Sequence, residues 1–207
     1  MAPAEATPTV QAKPDGAALL SRDHVQLGPA QWGMICFLLS EVAFFSTLII
    51  VYLTYSRVPQ SGPTPAILSL PLVIGTTICL LSSSLTIHLA DKAHGTGASG
   101  AFSMWWSLTI LLGITFLAGT AYEWSNLIRK DGLTISSNLF GSTYYTLVGF
   151  HALHVSVGVL AMIIVLSLAR KNRAAARPGT DVELVSWYWH FVDVVWIVVF
   201  TIVYLLR

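Results

Sequence analysis

Five long apolar stretches run through this chain, and segments rich in polar residues, glycine and proline separate them. Each stretch exceeds the ~20 residues that a helix needs to cross about 30 Å of hydrocarbon. The pattern therefore predicts five transmembrane helices and an all-α membrane bundle. The predicted spans are residues 32–55, 67–90, 102–124, 142–168 and 185–206.

The first 31 residues lie outside this pattern. They are rich in alanine, proline and polar residues, and they lack the apolar core of a secretory signal peptide. A segment of this composition buries too little apolar surface to fold by itself. We expect residues 1–31 to be a flexible N-terminal segment and residues 32–207 to form one transmembrane domain.

Composition supports a membrane protein and excludes one class of partner. Of the 207 residues, 55% are hydrophobic and 10% are charged, whereas soluble domains average about 25% charged residues. The formal net charge is +1, and the sequence has no basic stripe with interleaved aromatic residues. Nucleic acid is therefore not an expected partner.

Lysine and arginine are distributed unevenly over the two sides of the predicted bundle. Seven fall on the side of the N-terminus and four on the other side, and positive residues favour the cytoplasmic side of a membrane. We therefore expect a multi-pass protein with a cytoplasmic N-terminus and an external C-terminus. Tryptophans at the predicted span ends should lie at the membrane interface, where indole rings are enriched. They are Trp32, Trp105, Trp106, Trp124 and Trp187.

Ionisable side chains within or beside the predicted spans are the candidate functional residues. An aspartate at the centre of a membrane helix costs about 2.5–3.5 kcal/mol on insertion scales, so such groups normally face protein or water. Glu41 lies deep in the first span; His151 and His154 share one face of the fourth, as residues three apart do. The candidates are Glu41, Glu123, His151, His154, Glu183, His190 and Asp193.

One interpretation of these residues is a metal or haem site. His151, His154 and His190, together with a carboxylate, have the ligand chemistry for zinc, copper or iron. The sequence has no second histidine pair and no C-x-x-C-H haem signature, however. A metal site in this chain is therefore not expected.

Two other interpretations remain for the same residues. A proton path through Glu41, Glu123 and Asp193 needs carboxylates spread through the depth of the membrane, and only Glu41 is clearly central. Buried polar contacts that fix the packing of the helices need no such spacing. The residues alone favour this structural interpretation, in which the chain has no catalytic centre and can lie beside a partner that performs the chemistry.

Four motifs give the chain a resemblance to subunit III of haem-copper terminal oxidases, over about residues 32–207. The last motif is the most specific. The motifs are Leu39-Ser40-Glu41 with Phe44-Phe45; Ala121-Tyr122-Glu123-Trp124; Gly149-Phe150-His151-Ala152-Leu153-His154-Val155 with Gly158; and Glu183 with Trp187-Tyr188-Trp189-His190-Phe191-Val192-Asp193-Val194-Val195-Trp196.

The resemblance implies a non-catalytic core subunit in the five-helix form found in bacteria, located in the cytoplasmic membrane. Its partners are then the catalytic subunit I, which holds haem and copper, other oxidase subunits, and bound phospholipid. The family supports sustained proton uptake during oxygen reduction. By resemblance, Glu41 lies near subunit I and a lipid cleft. The polar contacts that join the later helices are assigned to Glu123, His151, His154, Glu183, His190 and Asp193.

The chain resembles two branches of this family, which differ in their electron donor. Quinol oxidases have a similar five-helix subunit, with Asp at the position of Glu41 and no counterpart of Glu183. Both positions are glutamate here, which favours the cytochrome c branch. Subunit III of a quinol oxidase is the alternative, followed by an accessory subunit of a nitric oxide reductase, a stand-alone proton channel and a metal-binding protein.

Overall fold

Five helices long and apolar enough to cross a membrane form the bundle, which confirms the predicted fold class. The computed structural model describes residues 27–56, 58, 62–171 and 180–206, and these contain no β-strand. The helices are α1 (Pro29–Ser56), α2 (Leu70–Gly95), α3 (Ser99–Arg129), α4 (Leu139–Lys171) and α5 (Thr180–Phe200), the last continuing as a π-helical turn over Thr201–Leu205. Most of the predicted flexible segment, residues 1–26, lies outside the described residues.

Helix α2 begins later than the sequence pattern predicted. A short 3₁₀ helix occupies Pro65–Ile67, and α2 begins at Leu70 with Pro71 in its first turn. Proline fits the first turn because the backbone N–H that it lacks has no partner within the helix there. Hydropathy alone extended the predicted span into this segment, because Ile67 and Leu68 are apolar.

A tight connection joins α2 to α3 and makes the two helices an antiparallel pair. Gly97 adopts the left-handed conformation, with φ of 73°. Its N–H donates to the carbonyl oxygen of His94 at 3.0 Å, and the N–H of Ala98 donates to that of Ala93 at 3.0 Å. This pair of bonds is a Schellman motif, which favours glycine because a left-handed residue carries no side-chain penalty there.

Helix α5 lies in the interior of the bundle and α1 lies at its margin. In the most apolar stretch of α5, 50% of the residues are buried, against 6% in α1. Helix α5 packs against α1, α2 and α4, and the α2–α3 pair reaches α4 through α3. Helix α1 packs against α4 and α5. The marginal helix therefore leaves most of its apolar surface available to lipid or to another protein.

Trp189 of α5 fills the centre of the bundle. Its ring is fully buried, and its Nε1–H donates to Ser83 Oγ of α2 at 2.9 Å. A Cβ atom added to Gly113 of α3 would lie 2.8 Å from this ring, and one added to Gly158 of α4 would also lie 2.8 Å from it. Glycine at these two positions therefore makes room for the indole, as small residues do where membrane helices approach closely.

One predicted interfacial tryptophan lies elsewhere. Trp106 is fully buried, and its Nε1–H donates to the carbonyl oxygen of Met162 at 2.9 Å. The prediction for Trp106 is wrong because an indole that finds an acceptor inside the bundle is as well satisfied there as at the interface. Trp32, by contrast, is 56% exposed.

Candidate functional site

The seven predicted site residues do not form one network. They occupy five separate places in the bundle. Two of these places hold a pair, Glu41 with His154 and His190 with Asp193, and the other three residues each lie apart.

Glu41 of α1 and His154 of α4 form an ion-pair contact at the margin of the bundle. His154 Nε2 lies 3.1 Å from Glu41 Oε2, and the two side chains are 15% and 17% exposed, respectively. His154 Nδ1 lies 2.7 Å from the carbonyl oxygen of Phe150. Since a carbonyl oxygen only accepts, Nδ1 carries the hydrogen. The contact between Nε2 and Oε2 therefore shares one proton, on either the imidazole or the carboxyl group.

Aromatic rings frame this pair and fix the position of His154. The Phe45 ring lies 4.9 Å from the imidazole between centroids, and Phe44 meets Phe150 edge to face at 5.0 Å. Tyr188 of α5 donates its hydroxyl to the carbonyl oxygen of His154 at 3.0 Å. Large apolar side chains flank the pair on the exposed surface of α1 and α4. They include Leu39, Val42, Leu153 and Val157.

Asp193 and His190 of α5 both contact Ser84 of α2. The Ser84 hydroxyl donates to Asp193 Oδ2, and Ser84 Oγ lies 3.3 Å from His190 Nδ1. Asp193 is 3% exposed, and its Oδ1 atom has no hydrogen-bond partner among the described residues. The partner of this predicted pair is thus a serine of α2 rather than Glu123, His151 or His154.

Glu123 of α3 lies in a cluster of buried hydroxyl groups towards the opposite end of the bundle. Tyr204 donates to Glu123 Oε2 at 2.9 Å and Tyr144 donates to the same atom at 3.4 Å. The two tyrosine hydroxyls are 3.0 Å apart. Tyr204 belongs to the π-helical turn that ends α5, so this contact joins the C-terminal end of the chain to α3 and α4.

His151 points into the core although it shares a helix face with His154. Its ring is fully buried and stacks on Trp196, with centroids 4.7 Å apart, and it meets Phe116 edge to face at 5.8 Å. Neither ring nitrogen has a hydrogen-bond partner within the part of the chain that the structure describes. His151 contributes aromatic packing. Among the described residues, no hydrogen bond or ion pair joins it to the Glu41–His154 pair, although the Phe45 ring contacts both imidazoles.

A hydrogen bond to Glu183 connects the beginning of α5 to the beginning of α1. Gln31 Nε2 donates to Glu183 Oε2 at 3.1 Å, and Gln31 Oε1 accepts from the N–H of Gly28 at 2.7 Å. This contact involves one side chain from the marginal helix and one from the central helix. It lies beside a cavity of about 420 Å³ between α2 and α5.

Sequence reasoning missed the polar end of α2, which lines that cavity. His88, Asp91 and His94 lie there, opposite Glu183 and His190 of α5. Ser186 of α5 donates its hydroxyl to Asp91 Oδ1 at 2.8 Å. The signal was present in the sequence as helical spacing, because Ser84, His88 and Asp91 are four and three residues apart and so share one face.

The metal interpretation finds no ligand set. Across residues 27–171 and 180–206, apart from 57 and 59–61, no group of three or more His, Cys, Asp or Glu side chains is arranged to hold a metal ion. His151, His154 and His190 point to separate partners, as described above.

Comparison with known proteins gives one family. The family model for cytochrome c oxidase subunit III matches residues 20–207. The chain is 38% identical over 201 residues to cytochrome c oxidase subunit 3 of Corynebacterium diphtheriae, covering 95% of both chains. It is 36% identical over 198 residues to a probable cytochrome c oxidase subunit 3 of Mycobacterium tuberculosis, covering 93% of this chain and 96% of the relative. It is 35% identical over 184 residues to cytochrome bo(3) ubiquinol oxidase subunit 3 of Pseudomonas aeruginosa, covering 88% of both.

Proposed function

Because the chain belongs to the cytochrome c oxidase subunit III family, as its motifs predicted, we propose that it is a non-catalytic core subunit of a respiratory haem-copper oxidase. It is a multi-pass bacterial membrane protein with five spanning helices. In the proposed assembly, subunit I carries haem and copper and performs oxygen reduction. This chain packs beside it and contributes helices, polar contacts and bound phospholipid.

The Glu41–His154 pair is the observation that carries this proposal. A carboxylate and an imidazole deep in a membrane helix are costly beside lipid tails, so they normally face protein or water. Here both side chains remain partly exposed on the α1–α4 face, within an apolar surface. A protein neighbour on this face, with lipid ordered at its edge, removes that exposure. We propose the α1–α4 face as the surface that meets subunit I.

We propose cytochrome c as the electron donor of the assembled oxidase. Relatives that are 36–38% identical over 93–95% of this chain carry the name cytochrome c oxidase subunit 3 or probable cytochrome c oxidase subunit 3. Glu41 and Glu183, which favour the cytochrome c branch, make hydrogen bonds to His154 and Gln31, respectively. A quinol oxidase is the second candidate, because the Pseudomonas aeruginosa relative is 35% identical.

Purification through an affinity tag on this chain tests the proposal. Mass spectrometry of the co-purifying subunits should identify a catalytic subunit, and reduced-minus-oxidised spectra should show its haems. Oxygen consumption with reduced cytochrome c, compared with a quinol, then separates the two candidate donors. Recovery of the folded chain from native membranes with no haem-containing partner would contradict the proposal.

We also propose that the N-terminus is cytoplasmic and the C-terminus external. Among the described lysines and arginines, Lys92, Arg170 and Lys171 lie on the side where α1 begins, and Arg129 and Lys130 lie on the other side. The remaining basic residues of the prediction fall on residues that the structure does not describe. Reporter fusions at Arg173 and after Arg207 should report opposite sides of the membrane; the same side for both would contradict five spans.

A further inference from the structure

Two polar stripes face each other across the contact between α2 and α5. On α2, Ser84 and Asp91 share one helix face with two histidines, and on α5 the stripe runs through Ser186 to Asp193. The helices run in opposite directions. Deep in the bundle, Ser84 of α2 therefore meets Asp193 of α5, and nearer the end of α2, Asp91 meets Ser186. We call the contact between the two stripes the α2–α5 seam. The titratable groups that face this seam are His88, Asp91 and His94 from α2, and Glu183, His190 and Asp193 from α5.

The polar seam crosses only part of the membrane. From His94 to Ser84 the helix rises about 15 Å, at ~1.5 Å per residue, which is about half of the ~30 Å hydrocarbon thickness. Beyond Ser84 the next residues of α2 on this side are Leu80, which is fully buried, and Thr77, whose hydroxyl accepts from Trp196 Nε1 at 3.0 Å. The seam is polar on one side of Asp193 and closed by packing on the other.

The two ends of the seam have contrasting properties. At the surface end lies the cavity of about 420 Å³, which opens beside His88 and His94 and is large enough for many waters. At the deep end lies Asp193, almost completely buried, with Oδ1 unpartnered in the described part of the chain. A buried polar atom without a partner calls for an unseen water or ion. Ser84 and His190 stand between the cavity and this atom.

We propose that the α2–α5 seam is an aqueous half-channel through which Asp193 exchanges protons with the face of the membrane where α2 ends. In the inward step, His190 protonated on both nitrogens donates its Nδ1 proton to Ser84 Oγ while the Ser84 hydroxyl proton moves to Asp193 Oδ2. The imidazole becomes neutral with its remaining hydrogen on Nε2, and the carboxylate becomes a carboxylic acid. The return step reverses both transfers, after which His190 releases its Nε2 proton to a water in the cavity. The step is reversible and leaves Ser84 unchanged.

This half-channel goes beyond the proposed function, because it gives residues of this chain a proton-exchange role of their own. It needs no group from a partner subunit. It holds a proton without passing it across the membrane, since the seam is closed beyond Asp193. The identity of the partner subunits is tested separately by purification, so failure of one proposal leaves the other standing.

Cysteine accessibility tests the water-filled part of the seam. In the assembled complex, with the two free cysteines, Cys36 and Cys79, replaced by alanine, Ser84→Cys should react with the permanently charged reagent 2-(trimethylammonium)ethyl methanethiosulfonate added from the face where α2 ends. It should not react when the reagent is added from the opposite face. Two control variants lie on the same helix: Thr77→Cys, beyond the closed end, and Leu85→Cys, which faces the exposed apolar surface.

Three outcomes of the accessibility test bear on the proposal. Reaction of Ser84→Cys from the α2-end face, with both controls inert, supports it. Failure of Ser84→Cys to react from either face overturns it. Equal reaction of Thr77→Cys and Ser84→Cys from both faces also overturns it, because the seam would then be open across the membrane.

Infrared spectroscopy tests the proton on Asp193 without altering the seam. A carboxylic acid C=O band that is lost in Asp193→Asn should shift when the complex is moved from H₂O to D₂O. In Ser84→Ala, compared in intact complex that retains its haem spectrum, the relay hydroxyl is missing and the exchange should slow by about tenfold or more, the factor for a barrier raised by ~1.36 kcal/mol. Unchanged exchange in Ser84→Ala, or no Asp193 band at any pH at which the complex remains intact, would refute the relay.

Discussion

Glu41 on the marginal helix and Asp193 on the central helix are both membrane carboxylates, yet they have opposite surroundings. Glu41 contacts one imidazole and remains 17% exposed within an apolar surface. Asp193 is 3% exposed and accepts a hydroxyl hydrogen bond from a neighbouring helix. Glu41 leaves part of its side chain open to whatever meets the α1–α4 face, whereas Asp193 is enclosed by the helices of its own chain, with Oδ2 hydrogen-bonded and Oδ1 unpartnered among the described residues. Substitutions in α5, α2 and α4 should therefore affect the fold, and substitutions in α1 should affect the assembly.

Overpacking around Trp189 should give the largest loss of stability. In Gly158→Ala the new methyl group meets the indole at 2.8 Å, so the ring must move, and overpacking typically costs about 1–3 kcal/mol. Gly149→Ala is the matched control on the same helix, because its methyl group would lie 3.5 Å from Trp124, an ordinary contact. Thermal unfolding in detergent should show a lower Tm for Gly158→Ala alone. Equal values for both variants would show that α4 adjusts at no cost.

Removal of the Asp193 carboxylate should give the next largest loss of stability. In Asp193→Ala the Ser84 hydroxyl loses its acceptor inside the bundle, and an unsatisfied buried group costs about 1–3 kcal/mol. Measured hydrogen bonds between membrane helices are weaker, about 0.6 kcal/mol on average. Asp193→Asn keeps an acceptor oxygen and should lose less. The yield of folded complex and its Tm measure this difference. Wild-type stability in both variants would show that the contact between Asp193 and Ser84 does not stabilise the bundle.

Glu41→Ala should change the endurance of the oxidase more than its stability. The lost contact joins α1 to α4, and polar contacts between membrane helices contribute about 0.6 kcal/mol on average and at most ~1.7 kcal/mol. We expect intact haem spectra, a normal initial rate of oxygen consumption, and faster loss of activity during a long assay. Glu41→Gln keeps the volume and the hydrogen bond but not the charge, and so separates charge from packing.

A control on the same helix sharpens the Glu41 result. Thr47→Val removes a hydroxyl that is exposed and donates only to the carbonyl oxygen of Ala43, one turn earlier in α1. Its oxidase should behave as the wild type throughout the assay. If Glu41→Ala abolishes the first turnovers while all subunits and haems remain present, the chain takes part directly in the catalytic proton path, and the non-catalytic assignment is wrong.

Gln31→Ala should have the smallest effect of the four. It removes one neutral side chain that joins α1 to Glu183 at the end of the bundle, and we expect about 0.6 kcal/mol, the average for polar contacts between membrane helices. Limited proteolysis near the beginning of α1 should detect local loosening where Tm does not change. A large loss of Tm would mean that α1 contributes to the core more than its exposure indicates.

The local properties of the chain were readable from its sequence. Hydropathy determined the number of spans, because about 20 apolar residues cross the membrane whatever their neighbours are. The motifs around Glu41, His154 and His190 identified the family, since they depend only on residue identity and order. The cost of placing charge in lipid marked the candidate residues within the apolar segments.

The pairing of those residues was decided only by the tertiary structure. His151 and His154 share a helix face in sequence, yet one stacks on Trp196 and the other contacts Glu41. Asp193 meets a serine, Ser84, whose small side chain predicts close helix packing but not the identity of its partner. Partners depend on how each helix is rotated and how closely it approaches its neighbours. Glycines opposite a large ring, as at Trp189, set that approach between residues far apart in the chain, and hydropathy along one helix carries no information about it.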